Sequence, residues 1–598
     1  MENLGFENVK ITSGFWKERQ DINRGATQQS VWDRFKETGR VDAFKCLYKK
    51  GDGNPPHYFW DSDVAKWIEG ASYNMILYGD RKDEEKIEEI IDDIEKNADE
   101  NGYFNSYFLT VEPEGRFTDR NKHELYCAGH LMEAAIAYKR ATGRDRFLKL
   151  MEKYADYIRR VFVQEGSAAF LTPGHEEIEL ALVKMYRETG KKKYLDLAAF
   201  FVDKRGSDDP KEDFGDLKEN IQCHQRPVDQ REAKGHAVRA AYLYCAMADL
   251  ARITGDGKLK TACLALFDDI VNKKMFITGG VGSNSRGESY AYPYYLPNVN
   301  AYSETCAAIG TAMFAGRMQE LEADSRYADA VERIIYNGAL SGVSLDGGSF
   351  FYENPLEIIP QRAALKNMHY PITQRVKVFG CSCCPPNVLR FIASLGGLVY
   401  TLDGDRIYLQ QFAESEAVIP RESGKITLRQ ITDYPLSGKV TLICDADADI
   451  EVRVPGWSEA YSDDKKPDGY MTVRLKKGEK KELDFEMKPV FYECDPRCGE
   501  DLGKVALARG PVVYCLEGLD NGGDLDGVFA DVKSEITVTK EVLSLPILEC
   551  GGVRAERSQT LYRKAQKLAG ERIRLRFIPY HAFANRKETP MKVWVNRT

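Results

Sequence analysis

The first two thirds of the chain repeat one hydrophobic pattern. Apolar residues recur about every 3.6 positions, as in Phe147, Leu150, Met151, Tyr154 and Ile158, which predicts amphipathic helices. Short breaks separate paired helices, and most are a Thr-Gly or Tyr-Gly step, at residues 78–79, 142–143, 189–190 and 254–255. Glycine suits the position after a helix, where φ is positive. Repeated hairpins joined by long, irregular loops favour a closed α/α barrel over a regular repeat array.

The pattern changes after about residue 402. Short alternating segments separated by turn signals predict β-strands at residues 406–409, 425–428, 439–442 and 450–454. A last strand is predicted at residues 592–595. The sequence therefore predicts a mixed α and β protein, with an α/α barrel over residues 1–402 and one or two β-sandwich domains over residues 403–598.

Composition narrows the class of partner. The 598 residues carry a net charge of -8, which argues against nucleic acid or an anionic membrane as the main partner. The first residues lack the apolar segment of a signal peptide, and no apolar run is long enough for a membrane span, so we expect a cytoplasmic protein. In that compartment the 14 cysteines predict a metal or catalytic cluster better than a disulfide framework.

The least ordinary segment is a cysteine cluster. Cys381, Cys383 and Cys384 stand within four residues and are followed by two prolines and a predicted helix over residues 387–400. Thiols at the start of a helix are stabilised as thiolates, which are metal ligands and nucleophiles. The alternative is a chance run of buried cysteines.

A second motif could complete a metal site. Glu304 and Cys306 open another predicted helix, with Ser303 as the expected N-cap. Residues two positions apart point to the same side of an extended backbone but not of a helix. Glu304 and Cys306 could therefore bind one ion together only where the helix begins. With Cys383 and Cys384 they would form a tetrahedral zinc site of three sulfurs and one oxygen. The alternatives are a capping role for Glu304 and a buried apolar role for Cys306.

The predicted zinc site could also be catalytic. Three thiolates and a carboxylate around a divalent ion would keep one thiolate nucleophilic. The residues alone do not show whether that nucleophile is Cys383 or Cys384. Glu288, on a long loop, is a candidate general acid, although a solvated loop charge is the simpler interpretation. His130, His175 and His236 belong to predicted helices, and these three histidines could contact substrate hydroxyl groups or serve only the core.

Several motifs together resemble glycoside hydrolase family 127, whose founding activity is β-L-arabinofuranosidase. They are the Glu-x-Cys motif at 304–306, the cysteine cluster at 381–387, and residues 60–63, 235–239 and 503–511. The resemblance covers nearly the whole chain. It implies an (α/α)6 barrel followed by β-sandwich domains, in agreement with the hydrophobic pattern.

The resemblance also implies roles for individual residues. Cys383 matches the nucleophile and Glu288 the acid/base. Glu304, Cys306, Cys383 and Cys384 match the ligands of a Zn²⁺ ion, and the positions similar to sugar contacts are His130, His175, His236 and Tyr352. The implied reaction is a retaining hydrolysis that releases a terminal furanose from a small oligosaccharide or glycoside, with a thiolate in place of one carboxylate. A homodimer is one assembly consistent with such a chain.

Two other classes of function remain open at this point. A sugar epimerase or polysaccharide lyase on an α/α barrel would use histidine, tyrosine or glutamate and would need no cysteine cluster, so zinc content separates it from the hydrolase. A non-catalytic sugar-binding protein with a structural zinc would bind glycosides without turning any over.

Overall fold

The computed structural model describes residues 1–365, 373–377, 380–542 and 545–598. The first two thirds of the chain are helical. The α-helices are α1 Gly14–Ile22, α2 Gln28–Glu37, α3 Trp60–Tyr78, α4 Glu84–Asn97, α5 Ser106–Thr110, α6 Glu124–Thr142, α7 Arg146–Arg159, α8 Ile178–Thr189, α9 Lys192–Lys204, α10 Ala237–Thr254, α11 Gly257–Lys273, α12 Thr305–Leu321, α13 Ser325–Arg333 and α14 Cys384–Ala393. Within the described ranges, none of them is both long and apolar enough to cross a lipid bilayer.

Six of the described helices form a closed inner ring. Helix α3 packs on α6, α6 on α8, α8 on α10, α10 on α12, α12 on α14, and α14 packs back on α3. The outer helices α7, α9, α11 and α13 each pack on the inner helix that precedes them. Hydrophobic pattern explains the two layers, because α10 is buried over most of its length whereas α7 buries a single stripe. The predicted (α/α)6 barrel is confirmed.

Glycine ends four of the inner helices as predicted. Gly79, Gly143, Gly190 and Gly255 follow α3, α6, α8 and α10 with φ angles of 66°, 77°, 69° and 73°. In each case the glycine N–H donates a hydrogen bond back to the last turn of the helix. A side chain at these positions would strain the backbone, which is why glycine follows the first helix of each hairpin.

The last third of the chain forms β-sheets, as predicted. The strands are β1 Glu2–Asn3, β2 Val9–Ile11, β3 Glu357–Ile358, β4 Tyr400–Asp403, β5 Arg406–Leu409, β6 Ser415–Arg421, β7 Gly424–Ile431, β8 Lys439–Cys444, β9 Ala448–Arg453, β10 Tyr470–Leu475, β11 Lys480–Asp484, β12 Pro489–Tyr492, β13 Lys504–Arg509, β14 Val512–Glu517, β15 Val528–Ala530, β16 Thr537–Val542, β17 Leu545–Ala555, β18 Gly570–Pro579, β19 Met591–Lys592 and β20 Val595–Arg597. The four internal strands that the sequence predicted correspond to β5, β7, β8 and β9.

Three sheets result from these strands. Two have five strands each, in the orders β1-β4-β5-β9-β10 and β11-β8-β7-β6-β2. The third has the order β12-β13-β20-β15-β17-β18-β14-β19-β3, with β16 paired to β17. Strands β1, β2 and β3 come from the helical part of the sequence, so the barrel segment and the sheets are interleaved. These strands have two or three residues, too few for a hydrophobic period to reveal them.

Two predicted elements have different bounds. The helix expected over residues 387–400 is α14, which begins at Cys384 and ends at Ala393, followed by a 3₁₀ turn at Leu395–Leu398. It begins earlier because the two prolines occupy its first turn, where a missing N–H costs nothing. The strand expected over residues 592–595 is divided between β19 and β20.

Candidate functional site

The candidate site lies where the inner helices begin. Their starts carry the polar groups of the site: Asp63 and Lys66 on α3, His123 and Tyr126 at α6, His236 at α10, Glu304 and Cys306 at α12, and Cys383 and Cys384 at α14. Because every one of these helix ends is the positive end of its dipole, the arrangement favours anionic groups. The prolines at 385 and 386 lack N–H groups, however, so the start of α14 offers thiolates fewer donors than the sequence analysis assumed.

Three cysteines and one glutamate meet in a compact cluster. The Cys306 sulfur lies 3.6 Å from that of Cys383 and 3.4 Å from that of Cys384, and the latter two are 3.8 Å apart. Glu304 Oε1 is 3.7 Å from the Cys383 sulfur and 3.8 Å from the Cys384 sulfur. A disulfide needs sulfurs at about 2.05 Å, so these thiols are free.

These separations fit a tetrahedral ion. With Zn–S distances of ~2.3 Å and a Zn–O distance of ~2.1 Å, a regular tetrahedron has S–S edges of ~3.8 Å and S–O edges of ~3.6 Å. The cluster's separations of 3.4 to 3.8 Å are close to these edges. The predicted ligands are therefore brought together as a candidate metal site, across 77 residues of sequence.

The acidic groups of the cluster can all be ionised together only if a cation lies among them. Burial and the neighbouring Cys383 and Glu288 raise the pKa of Glu304, and burial with the adjacent thiols raises the pKa of Cys384. Burial also opposes ionisation of Cys306, but its contacts with the other two sulfurs lower its pKa to about 6. Four acidic groups at these distances do not all ionise unaided, and a divalent ion would let them do so.

Accessibility distinguishes the four ligand candidates. Cys384 has 0% of its surface exposed, and Cys306 and Glu304 have 2% each. Cys383 is half-buried, so it is the cluster member that a substrate can approach. The sequence alone did not choose between Cys383 and Cys384.

Backbone strain surrounds the same site. Glu304 is itself the N-cap of α12, but its side chain makes no capping hydrogen bond, which leaves the carboxylate to the cluster. Ser303, the predicted cap, instead has a φ of 51°, next to Tyr302 at 54°, and Glu288 also has a φ of 54°. Left-handed non-glycine residues cost about 1 kcal/mol or more each, and such strain concentrates at functional sites.

Glu288 is held by His236. The N-cap of α10 is His236, whose Nδ1 accepts hydrogen bonds from the Val238 and Arg239 N–H groups at 3.2 and 3.5 Å. Its proton therefore lies on Nε2, which is 2.7 Å from Glu288 Oε2 and donates to it. Burial lowers the pKa of His236, which keeps the ring neutral. Ligating atoms of His236, Glu288 and Glu304 all lie within 4.8 Å of one another, so Glu288 flanks the cluster.

Two further histidines line the space beside His236. The His175 ring is 5.5 Å from His236 and 5.4 Å from His123. His175 Nδ1 is 2.9 Å from the Glu176 carbonyl and His123 Nδ1 is 2.7 Å from the Asn121 carbonyl, so each Nδ1 donates and each Nε2 is an acceptor. His175 lies in the loop before α8, not inside the helix as predicted, because a Pro-Gly step precedes it.

His130 occupies a different environment from the other histidines. It is completely buried, with Nδ1 3.2 Å from Glu177 Oε1 and 3.5 Å from Glu133 Oε2. Its ring packs 4.5 Å from Tyr126, one helical turn earlier. His130 has no exposed surface and packs on Tyr126, and its role as a sugar contact stays a prediction from the resemblance.

Tyr352, for which the resemblance implied a sugar contact, lies beside the segment that carries Glu304 and Cys306. Its carbonyl accepts the Thr305 N–H at 2.9 Å, and its ring lies 6.3 Å from that of Tyr302. Burial and the nearby Cys383 and Glu304 raise the pKa of Tyr352.

His123 is a candidate site residue that the sequence pattern did not reveal. It holds the N-cap position of α6, just as His236 and Glu304 hold those of α10 and α12. The missed signal is this shared position, because polar residues that directly precede inner helices of a barrel all face one end of it.

Comparisons with known proteins cover the whole chain. A family model described as β-L-arabinofuranosidase, GH127 catalytic domain, matches residues 8–397. Models of the GH127 middle and C-terminal domains match residues 406–488 and 489–596. A non-reducing end β-L-arabinofuranosidase of Bifidobacterium longum is 32% identical, over 99% of this chain and 100% of that protein.

Solved structures agree with the family match. A GH127 β-L-arabinofuranosidase from Geobacillus stearothermophilus T6 superposes with a TM-score of 0.94 at 36% identity, over 99% of this chain and 100% of that one. A second GH127 β-arabinofuranosidase gives a TM-score of 0.89 at 35% identity, over 100% of this chain and 98% of the other. The chain is a glycoside hydrolase and belongs to glycoside hydrolase family 127.

Proposed function

We propose that the protein is a retaining, exo-acting β-L-arabinofuranosidase that releases a terminal furanose from a small oligosaccharide or glycoside. The observation that carries the proposal is the tetrahedral cluster of Glu304, Cys306, Cys383 and Cys384 with the Glu288 carboxylate beside it. The sugar follows from the relatives, whose names specify β-L-arabinofuranosidase or β-arabinofuranosidase.

Zn²⁺ is the proposed ion. Glu304, Cys306, Cys383 and Cys384 would hold it, and soft thiolates in tetrahedral array suit zinc better than calcium or magnesium. When bound, the ion supplies the charge that keeps the cysteines deprotonated. Cys383 is the proposed nucleophile because it is the half-buried member of the cluster, whereas the other three ligand candidates are buried.

The proposed reaction has two displacements. The Cys383 sulfur forms a bond to the anomeric carbon while Glu288 gives a proton to the glycosidic oxygen, and the C–O bond breaks. Glu288, now a carboxylate, takes a proton from water, whose oxygen attacks the same carbon. The C–S bond breaks and its electron pair returns to Cys383. Two inversions at one carbon leave the configuration retained.

We propose that the side chains around the cysteine cluster and Glu288 bind the sugar. His123 and His175 present Nε2 acceptors to hydroxyl groups, and Tyr352 borders the cluster. His236 holds Glu288 and can contact the sugar as well. His123 is added to this set, and His130, which packs on Tyr126, stays in it as implied by the resemblance.

All proposed catalytic groups precede residue 402. We therefore propose residues 1–402 as the catalytic barrel and residues 403–598 as β-sandwich domains that support it. Cytoplasmic location and a homodimer stay predictions from the sequence.

A glycoside panel tests the proposed activity. Purified protein with zinc is incubated with p-nitrophenyl furanosides and pyranosides of both configurations, and products are followed by NMR. We expect β-L-arabinofuranoside to be hydrolysed fastest, with a β-configured first product. Preference for a pyranoside would reject the sugar assignment, and an inverted first product would reject the thioglycosyl route.

Zinc content gives a separate prediction. We expect one zinc ion per chain, and Cys306→Ser should lower both zinc affinity and activity by roughly tenfold or more, because one ligand is replaced by a poorer one. Cys263→Ser is the matched control, since this fully buried cysteine of α11 lies outside the cluster. Metal analysis and chelator competition supply the measurement, and zinc-free active protein would contradict the proposal.

Substitution of His236 separates its two roles. His236→Asn should retain the helix cap, because asparagine is a favoured N-cap, but it removes the Nε2 donor to Glu288. We expect an unchanged melting temperature and a roughly 10- to 100-fold loss of kcat/KM as Glu288 loses its orientation. His236→Ala should lose the cap too, at a cost of about 1 kcal/mol of stability. Full activity in His236→Asn would remove the positioning role.

A further inference from the structure

One asparagine in the loop between α9 and α10 contacts both the segment that carries Glu288 and the residue that binds its carboxylate. The backbone carbonyl of Asn220 accepts the His236 N–H at 3.0 Å. The side-chain amide of Asn220 donates from Nδ2 to the Gly287 carbonyl at 2.9 Å. Gly287 directly precedes Glu288 in the sequence, so Asn220 joins the proposed acid/base segment to His236.

The orientation of the Asn220 amide is set by a second side chain. Arg239, in the first turn of α10, donates from Nη1 to Asn220 Oδ1 at 2.8 Å. Because a guanidinium only donates and a carbonyl only accepts, one orientation of the amide satisfies both Arg239 and Gly287. A hydrogen bond contributes only about 1 kcal/mol to folding stability, so the main effect of this contact is on local geometry.

The peptide group that leads into Glu288 is held on both of its polar sides. Its carbonyl, which belongs to Gly287, accepts from Asn220, and its N–H donates to the Ser285 carbonyl at 3.3 Å. The next carbonyl, that of Glu288, accepts the Ala237 N–H at 2.9 Å. Glu288 has a φ of 54°, and a strained conformation of this kind persists only where the surroundings determine it. Asn220 supplies one of those constraints.

Two glycines make room for the approach to Asn220. A Cβ at Gly287 would lie 2.8 Å from Asn220 Nδ2, and a Cβ at Gly235 would lie 2.8 Å from Asn220 Cα. Both glycines also have a positive φ, of 73° and 72°. Gly235 begins one of the motifs on which the family resemblance rests, directly before His236. Close packing on Asn220 gives both positions a physical reason to be glycine.

We propose that Asn220 is a positioning residue for the acid/base Glu288: its amide, oriented by Arg239, fixes the peptide group between Gly287 and Glu288, while His236 fixes the carboxylate. The inference rests on the proposed function. Glu288 has to reach the glycosidic oxygen in the first displacement and a water molecule in the second. A displacement of ~1 Å in a catalytic group can cost on the order of 10²-fold in rate.

Asn220→Asp separates the two bonds of the amide, because a carboxylate still accepts from Arg239 but cannot donate to the Gly287 carbonyl. We expect kcat/KM to fall roughly 10- to 30-fold for glycosides with a poor leaving group and less than about threefold for aryl furanosides with a good one, since only the former depend on the Glu288 proton. Asn220→Ala, which loses both bonds, should show the same inequality. Equal losses for the two substrates, or wild-type kinetics in Asn220→Asp, would overturn the proposal.

Asn97→Asp is the matched control. Asn97 is a half-buried asparagine at the end of α4, and its Nδ2 donates to the Phe44 carbonyl at 3.0 Å, outside the site. Loss of that bond should lower the melting temperature without changing the dependence of kcat/KM on the leaving group. The comparison separates a lower fraction of folded protein from a misplaced acid.

The Glu288→Gln background provides a stricter test. If Asn220 acts through Glu288, then Asn220→Asp added to Glu288→Gln should change kcat/KM for poor leaving groups by less than about twofold, because substitutions that act through one group are not additive. A further loss as large as the one in the wild-type background would show that Asn220 acts independently of Glu288 and would overturn the proposal.

Hydrogen exchange tests the contact without any substrate, so its failure is distinguishable from failure of the glycosidase assignment. The amides of Glu288 and Ser289 donate to the carbonyls of Ser285 and Asn284 at 3.3 and 2.9 Å within the turn that Asn220 contacts. The peptide over residues 284–290 should exchange several-fold faster in Asn220→Asp, whereas α10 should be unchanged, and Asn97→Asp should alter neither. Unchanged exchange in the turn would overturn the proposal whatever the activity of the protein.

Discussion

Cys383→Ala should abolish turnover, with a loss on the order of 10⁴- to 10⁶-fold in kcat. Alanine removes the sulfur that forms the bond to the anomeric carbon, and the neighbouring sulfurs of Cys306 and Cys384 are buried beneath it. The measurement is kcat on an aryl furanoside, with zinc content and melting temperature determined on the same sample.

Activity measured at saturating zinc distinguishes the nucleophile from the other zinc ligands. Cys384→Ser and Cys306→Ser weaken metal binding but leave the attacking sulfur, so excess zinc should restore part of their activity. Cys383→Ala should stay inactive at any zinc concentration. Cys381→Ala removes a half-buried thiol of the same loop that is outside the four-ligand set and should lose far less activity. Recovery of Cys383→Ala by zinc would reject it as the nucleophile.

Glu288→Gln should slow the hydrolysis of substrates with poor leaving groups by about 10²- to 10⁴-fold, the usual contribution of a general acid or base. The glutamine oxygen can still accept the His236 N–H, but its amide is too weak an acid to protonate the leaving oxygen. An aryl group that leaves easily needs little protonation, so the first displacement should suffer less with such a substrate. Burst kinetics with two leaving groups measure the difference.

The Glu288 result needs two checks. Zinc should remain bound in Glu288→Gln, because Glu288 is outside the four-ligand set. Glu219→Gln, an exposed acid on a neighbouring loop, should have wild-type kinetics. Equal loss for good and poor leaving groups would show that Glu288 does not protonate the leaving oxygen.

Local pattern predicted most of the fold. The helical hairpins and their terminal glycines follow from 3.6-residue periodicity and from the positive φ that a helix end requires, as at Gly79 and Gly255. Strands β7 and β8 follow from alternation. The sequence did not reveal β1 and β2, because a strand of two or three residues becomes a strand only when a distant edge accepts it.

The ligand set could be predicted because its members are chemically rare residues in tight local motifs. Other parts of the site depend on tertiary proximity. The hydrogen bond from His236 Nε2 to Glu288 Oε2 joins groups 52 residues apart, and no local sequence pattern predicts it. The resemblance implied a sugar contact at His130, which is fully buried against Tyr126, whereas no sequence motif marks His123, which packing places beside His175.

The most direct test of the central claim, that Cys383 attacks the sugar, is to locate a covalent label. A cyclic electrophile shaped like the substrate, such as an arabinofuranose-configured epoxide, is incubated with zinc-loaded protein until activity is lost. The protein is then digested, and mass spectrometry identifies the modified residue. We predict a single adduct on Cys383, formed more slowly when a competing glycoside is present. A label on Cys384, on Glu304 or on a residue outside the cluster would contradict the account.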